Sequence, residues 1–307
     1  MGFKWTPGLG PSKRSLAVMR ANSLKPDYPM GEGWFLAENR LMYTELEGDI
    51  GTISTHRIQE ILGDIANGVS SFGCREEWEV WFSYILPRII PRCDERFVSW
   101  LLEEVCTAFL QIDLGVKNGA EKDTYHEHVL STLGQTLMAS NRWQEGNIVL
   151  GNVLHPSNQN PAKIWGWTNV SGDLAASLIV CLRLIKSRDI QEWVDSIFAI
   201  KCPYWRAQLL TWYVGARPLL SGEIHFPSQF DEWTSKIDWS WSHVIKGNQG
   251  GTIIADSLFP EGNINCFREA FETNLRRADL AAWKEEILEI EALRTEVGAL
   301  LSGFKIS

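Results

Sequence analysis

The segment 123–128 brings together four side chains that could ligate a metal: Asp123, His126, Glu127 and His128. A His-x-His pair chelates an ion when both rings point the same way, as on a strand. On a helix, residues i and i+2 diverge by about 200°, and the surrounding pattern reads as helical. Asp123 can share a helix face with His126 or with Glu127. That makes two ligands where zinc takes four, three of them from the protein in catalytic sites. His126 also falls on an apolar stripe with Leu130. The plainer reading of Asp123, His126 and Glu127 is a core-edge histidine beside solvated carboxylates, so no metal and no other cofactor is expected.

Acid–base chemistry needs two carboxyl groups that converge. Glu76/Glu77, Asp94/Glu95, Glu103/Glu104 and Glu285/Glu286 are adjacent pairs, and neighbours on a helix point apart. None is an acid–base pair by itself. Carboxylates from different helices could still meet, as in helical glycosidases. The Gly-x-Ser-x-Gly elbow, the Gly-x-x-x-x-Gly-Lys phosphate loop and His-Glu-x-x-His are all missing, and no residue is assigned a catalytic role.

Fifteen tryptophans in 307 residues are many. Most sit at core spacing on helices. Trp165/Trp167 and Trp239/Trp241 do not: each pair is spaced i, i+2 in a non-helical stretch, accompanied by His155 and His243 respectively. Such pairs can face one side of an extended chain, where indoles stack on ligands or anchor interfaces. The same rings could equally close the open edge of a helical pack. These six residues are the candidate binding residues.

The formal charge is −9. Tight nucleic-acid binding needs clustered Lys and Arg, so no nucleic-acid partner is expected. The sharpest acidic block, 94–127, has eight acids against three bases. Within it Asp94, Glu95, Glu103 and Glu104 are the candidate surface for a basic partner, and a solvated helix face is the alternative reading.

These residues must be held by helices. Residues 1–30, broken by Pro7, Gly8, Gly10, Pro11, Pro26 and Pro29, read as an N-terminal arm. Apolar stripes of helical period then run through Trp34–Leu41, Ile58–Ile65, Arg75–Ile89, a helix capped by Asp94, and 120–138. Ser171 is placed to cap a helix apolar nearly all round, hence central. Asp189 and Glu192 resemble a capping pair, Pro203 suits a first helical turn, and Asp279 opens a long last helix over 280–301. Strand signal is confined to Ile237–Ile245. The fold class is mainly α, an irregular α-solenoid or multi-helix bundle with two long Trp-containing loops, 151–170 and 221–262. An N-terminal helical half, 31–150, and a C-terminal half, 151–307, are expected to be continuous as one domain.

Helix size and connection length over about 33–220 resemble HEAT- or armadillo-like α-solenoids, without a repeated signature at a fixed offset. An irregular bundle explains the same pattern. The resemblance implies stacked helix pairs that offer an extended surface.

Six cysteines in irregular spacing suit a reducing, cytoplasmic compartment. No apolar run is long enough to span a membrane. The expected role is an intracellular protein–protein interaction module, in a narrower form an inhibitor or immunity-type protein neutralising a basic partner. The alternative is a metal-dependent or carbohydrate-active enzyme on a helical scaffold. The patterns leave the oligomeric state open.

Overall fold

A computed structural model describes residues 2–28, 30, 43–71, 75–94, 101–115, 120–149, 170–230, 237–249, 252–253, 257–291 and 294. Within these the chain is mainly helical. The helices are α1 (Lys13–Asn22), α2 (Thr55–Ser71), α3 (Arg75–Ile89), α4 (Leu101–Gly115), α5 (Ala120–Thr132), α6 (Gly172–Leu184), α7 (Ile190–Phe198), α8 (Pro203–Gly215), α9 (Arg217–Ser221), α10 (Asn263–Arg277) and α11 (Leu280–Glu289). Strands are two residues each: β1 (Trp143–Gln144), β2 (Asn147–Ile148), β3 (Val170–Ser171), β4 (Ile237–Asp238), β5 (Asn248–Gln249) and β6 (Thr252–Ile253). β1/β2 and β5/β6 pair antiparallel, and β3/β4 pair in parallel.

Local chemistry sets most helix ends. Ser12 Oγ accepts the Ser15 N–H ahead of α1, and Ser171 and Asp279 cap α6 and α11. Pro203 occupies the first turn of α8. Ser54 caps α2, its hydroxyl taking the Arg57 N–H at 3.3 Å. Asp189 makes no side-chain cap bond; a 3-10 turn, Ser187–Asp189, leads into α7 instead. The helix expected over 120–138 is α only to Thr132 and tightens to 3-10 over Leu133–Met138. The last helix is described to Glu289; 295–307 and the expected first helix near Trp34 lie outside the described residues.

α6 sits at the centre, buried at every position except Arg183. α4 packs between α2 and α6, and α10 lies against α7. Apolar burial is continuous from Trp5 to Ile287. Aromatic rings join its ends: Trp193 meets Trp5 and Phe267, and Trp205 meets Trp5 and Trp143, with centroids 5.5–5.8 Å apart.

The N-terminal arm packs onto the helices. Trp5 is 1% exposed, its indole N–H on the Gly134 carbonyl and its backbone N–H on Ser196 Oγ at 2.9 Å. Met138 O accepts the N–H groups of Gly8 and Gly10, and α1 packs on α5 and α3. The prolines and glycines prevent a long element, but they do not keep one large indole from filling the core.

Candidate functional site

The stretch that reads as an alternating strand is a two-residue strand followed by a turn. Val170 and Ser171 pair with Ile237 and Asp238; a 3-10 turn, Ser242–Val244, follows. The two tryptophans therefore separate instead of sharing a side. Trp239 is 4% exposed and donates its indole N–H to Thr107 Oγ1 at 2.9 Å. Trp241 is half-buried, with its ring over Gly63 of α2, where a Cβ would come within 3.2 Å. His243 is exposed and stacks on Trp241, with centroids 5.8 Å apart and planes at 24°. Its Nδ1 lies 3.0 Å from the Ser240 carbonyl, which makes that nitrogen the donor.

Beneath this turn, Glu103, Thr107 and Gln111 follow one another at four-residue spacing and so line one face of α4. Each holds part of the turn. Glu103 Oε1 accepts the Trp241 backbone N–H at 3.4 Å, Thr107 takes the Trp239 indole, and the Gln111 amide donates to the Val244 carbonyl. Asp173 closes the cluster from α6. Its Oδ1 accepts the Glu103 backbone N–H at 3.0 Å and its Oδ2 accepts Arg142 at 3.1 Å. Arg142 also donates to the Cys93 carbonyl at 2.7 Å. Gly172 makes room for the carboxyl: a Cβ there would fall 1.8 Å from Glu103 Oε2 and 2.8 Å from the Asp238 carbonyl.

Glu103 is fully buried and Glu104 is 8% exposed. Burial, then the charge of Asp173, pushes the Glu103 carboxyl well above its usual range, against the opposing N–H groups of Trp241 and Ser240. Burial pushes Glu104 up to about 7, despite side-chain hydrogen bonds with Gln59 and Trp241. Glu103 Oε2 and Glu104 Oε2 are buried with no hydrogen-bond partner among the described residues. A carboxyl pushed well above its usual range and another pushed up to about 7 are groups that can donate and accept protons.

This overturns part of the expected acidic surface, because Glu103 and Glu104 face inward and are no docking face for a partner. Their two positions abut α2, α6 and the Trp241 turn. The Asp94 side chain and all of Glu95 lie outside the described residues, as do Trp165, Trp167 and His155.

The metal candidates do not assemble either. Asp123 is exposed, and Glu127 pairs with Lys186 at 2.6 Å. His126 Nε2 meets Asp113 Oδ1 at 2.6 Å. Asp113 is the hub of a buried ion cluster, with Arg183 Nε at 2.5 Å and Lys122 Nζ at 3.4 Å. Burial alone would raise its carboxyl. The His126 hydrogen bond and the charge of Arg183 outweigh that and hold it below the usual carboxylate range. Among the described residues no three His, Cys, Asp or Glu side chains are placed to hold a metal ion.

Asp173, Arg142, Gln59 and Asp113 were not among the sequence candidates. A signal was present for one of them. Asp173 is a lone acid inside an otherwise apolar helix, and such a charge is almost never buried unless paired. Glu103 heads a polar stripe, Glu103-Thr107-Gln111, on an apolar helix. Arg142 and Gln59 lie in segments whose local pattern says nothing of their partners. The chain matches no family model, and comparison with curated proteins and with solved structures gives no significant match.

Proposed function

We propose that the protein is a helical binding module that engages a basic partner through the outer face of α11. The observation supporting this is the one-sidedness of that helix. Trp283 and Ile287 are buried, while Glu285, Glu286, Glu289 and Glu291 are exposed. Over 279–291 there are five acids and one lysine. Arg206 sits 4.5 Å over the Trp283 ring and pairs with Glu286, so the acidic face rides on a helix anchored to α8. Neutralisation of a basic protein, as by an inhibitor or immunity-type protein, is the narrower form. An irregular α-solenoid would suit this use, since stacked helix pairs offer extended surfaces. Co-purification at low ionic strength tests the reading. The partner should be basic and should be lost as salt is raised. Reversing Glu285 and Glu289 to lysine should abolish its binding, and binding that is indifferent to both overturns the reading.

A second reading, acid–base chemistry on a carbohydrate or similar hydroxyl-rich ligand, is favoured by one observation: Glu104 is pushed up to about 7 beside a half-buried indole. It requires turnover that Glu104→Gln abolishes without unfolding the chain.

A further inference from the structure

We propose that the turn from Trp239 to Val244 is a proton-controlled latch on α4, closed while Glu103 and Glu104 are uncharged and opened when they ionise. The inference stands apart from the partner-binding reading and does not need a ligand.

The geometry supplies the latch. The turn is bound to α4 by Glu103, Thr107 and Gln111, and the edge of the Trp241 ring packs closely on Gly63 of α2, where a Cβ would lie 3.2 Å from it. Closure covers both glutamates and leaves one oxygen of each without a partner among the described residues. Such atoms are costly when dry and are relieved by hydration.

The groups facing the two glutamates are unevenly charged. α4 adds Cys106, whose thiol burial pushes up, with the charge of Asp173 next. α6 adds Asp173, and β4 adds Asp238. Arg142 is committed to Asp173 and the Cys93 carbonyl. α2 adds Gln59, which is neutral. α3 contributes Arg75, at the far end of α4 on the Gln111 and Ile112 carbonyls. His243, on the turn itself, is exposed. A proton leaving either glutamate therefore creates a negative charge near Asp173, at a site the closed turn covers. By linkage, a carboxyl that holds its proton more tightly when closed must favour the open turn as pH rises.

Hydrogen exchange of the full chain, read on a peptide covering 237–247 and corrected for the intrinsic pH dependence of exchange, tests this. Between pH 5.5 and 8.5, protection of the turn should fall about 30-fold from Glu104 alone, given its value of about 7. Protection of the β1/β2 hairpin should stay level. Glu104→Gln keeps the size and hydrogen-bonding shape of the side chain and removes its proton equilibrium, so the fall should shrink several-fold. Glu103→Gln is the second variant. Equal protection of the turn at both pH values in the native chain overturns the proposal. So does an unchanged pH dependence in both variants, or a fall shared equally by the hairpin and α6, which would be global destabilisation.

Discussion

Trp5 donates its indole N–H to the carbonyl of Gly134 at 2.7 Å, across 129 residues of sequence. The ring lies edge-on to Trp193 and Trp205, so it joins the N-terminal segment to α7 and α8.

Trp5→Ala should cost about 3–5 kcal/mol of unfolding free energy, the usual range for deleting a buried Trp. Trp5→Phe should cost less, because it keeps most of the packing and loses the bond to Gly134. Denaturant titration of both variants checks this. Equal, small effects would mean that the segment is peripheral.

Gly172→Ala should destabilise by about 1–3 kcal/mol, as overpacking does, because its Cβ would overlap Glu103 Oε2. Truncating Glu103 to alanine in the same chain should recover part of the loss. A double-mutant cycle with no coupling would place the two groups apart.

Stability should depend on pH in two opposite senses. Glu104 has a folded value raised from 4.5 to about 7. The folded state therefore binds the extra proton, and stability declines as pH rises from about 4.5 to about 7. The full decline is about 3 kcal/mol. Asp113 is depressed from its ordinary 3.8, so its contribution is complete above that value and is lost as pH falls below it. Thermal melting across pH 3–9 should show an acid limb that Asp113→Asn removes and a neutral limb that Glu104→Gln removes.

Asp113→Asn at neutral pH should cost about 3 kcal/mol, because it removes the buried carboxylate that the half-buried Arg183, Lys122 and His126 share. Replacing Glu127, whose pair with Lys186 is exposed, should cost less than about 1 kcal/mol. Similar losses for both would mean that the Asp113 cluster is as solvated as the surface pair.

The helices were readable because their apolar periods and caps are local. Ile58, Ile61, Leu62 and Ile65 announce α2 four positions at a time, and all are 1% exposed or less. Ser171 and Asp279 announce their helices by a single side chain each. The candidate site was much less readable. Nothing near Glu103 in sequence indicates that Asp173, 70 residues on, and Trp241, 138 residues on, will cover it. A charge count over 94–127 treats every acid as solvated, whereas Glu103, Glu104 and Asp113 are buried. The alternation at Trp239 and Trp241 was real, but strand pairing stops at Asp238. Period-two reasoning then no longer says which way a side chain points.

The docking of Trp5 also orders events during synthesis. Trp5 finds its seat on Gly134, Ser196 and Trp205, and the first two of these are polymerised 129 and 191 residues after it. Until then the Trp5 ring lacks part of its native seat. Contacts of such wide separation slow folding, and at about 5–20 residues per second the wait is on the order of ten seconds or more. The nascent chain thus carries the Trp5 indole uncovered until those partners emerge.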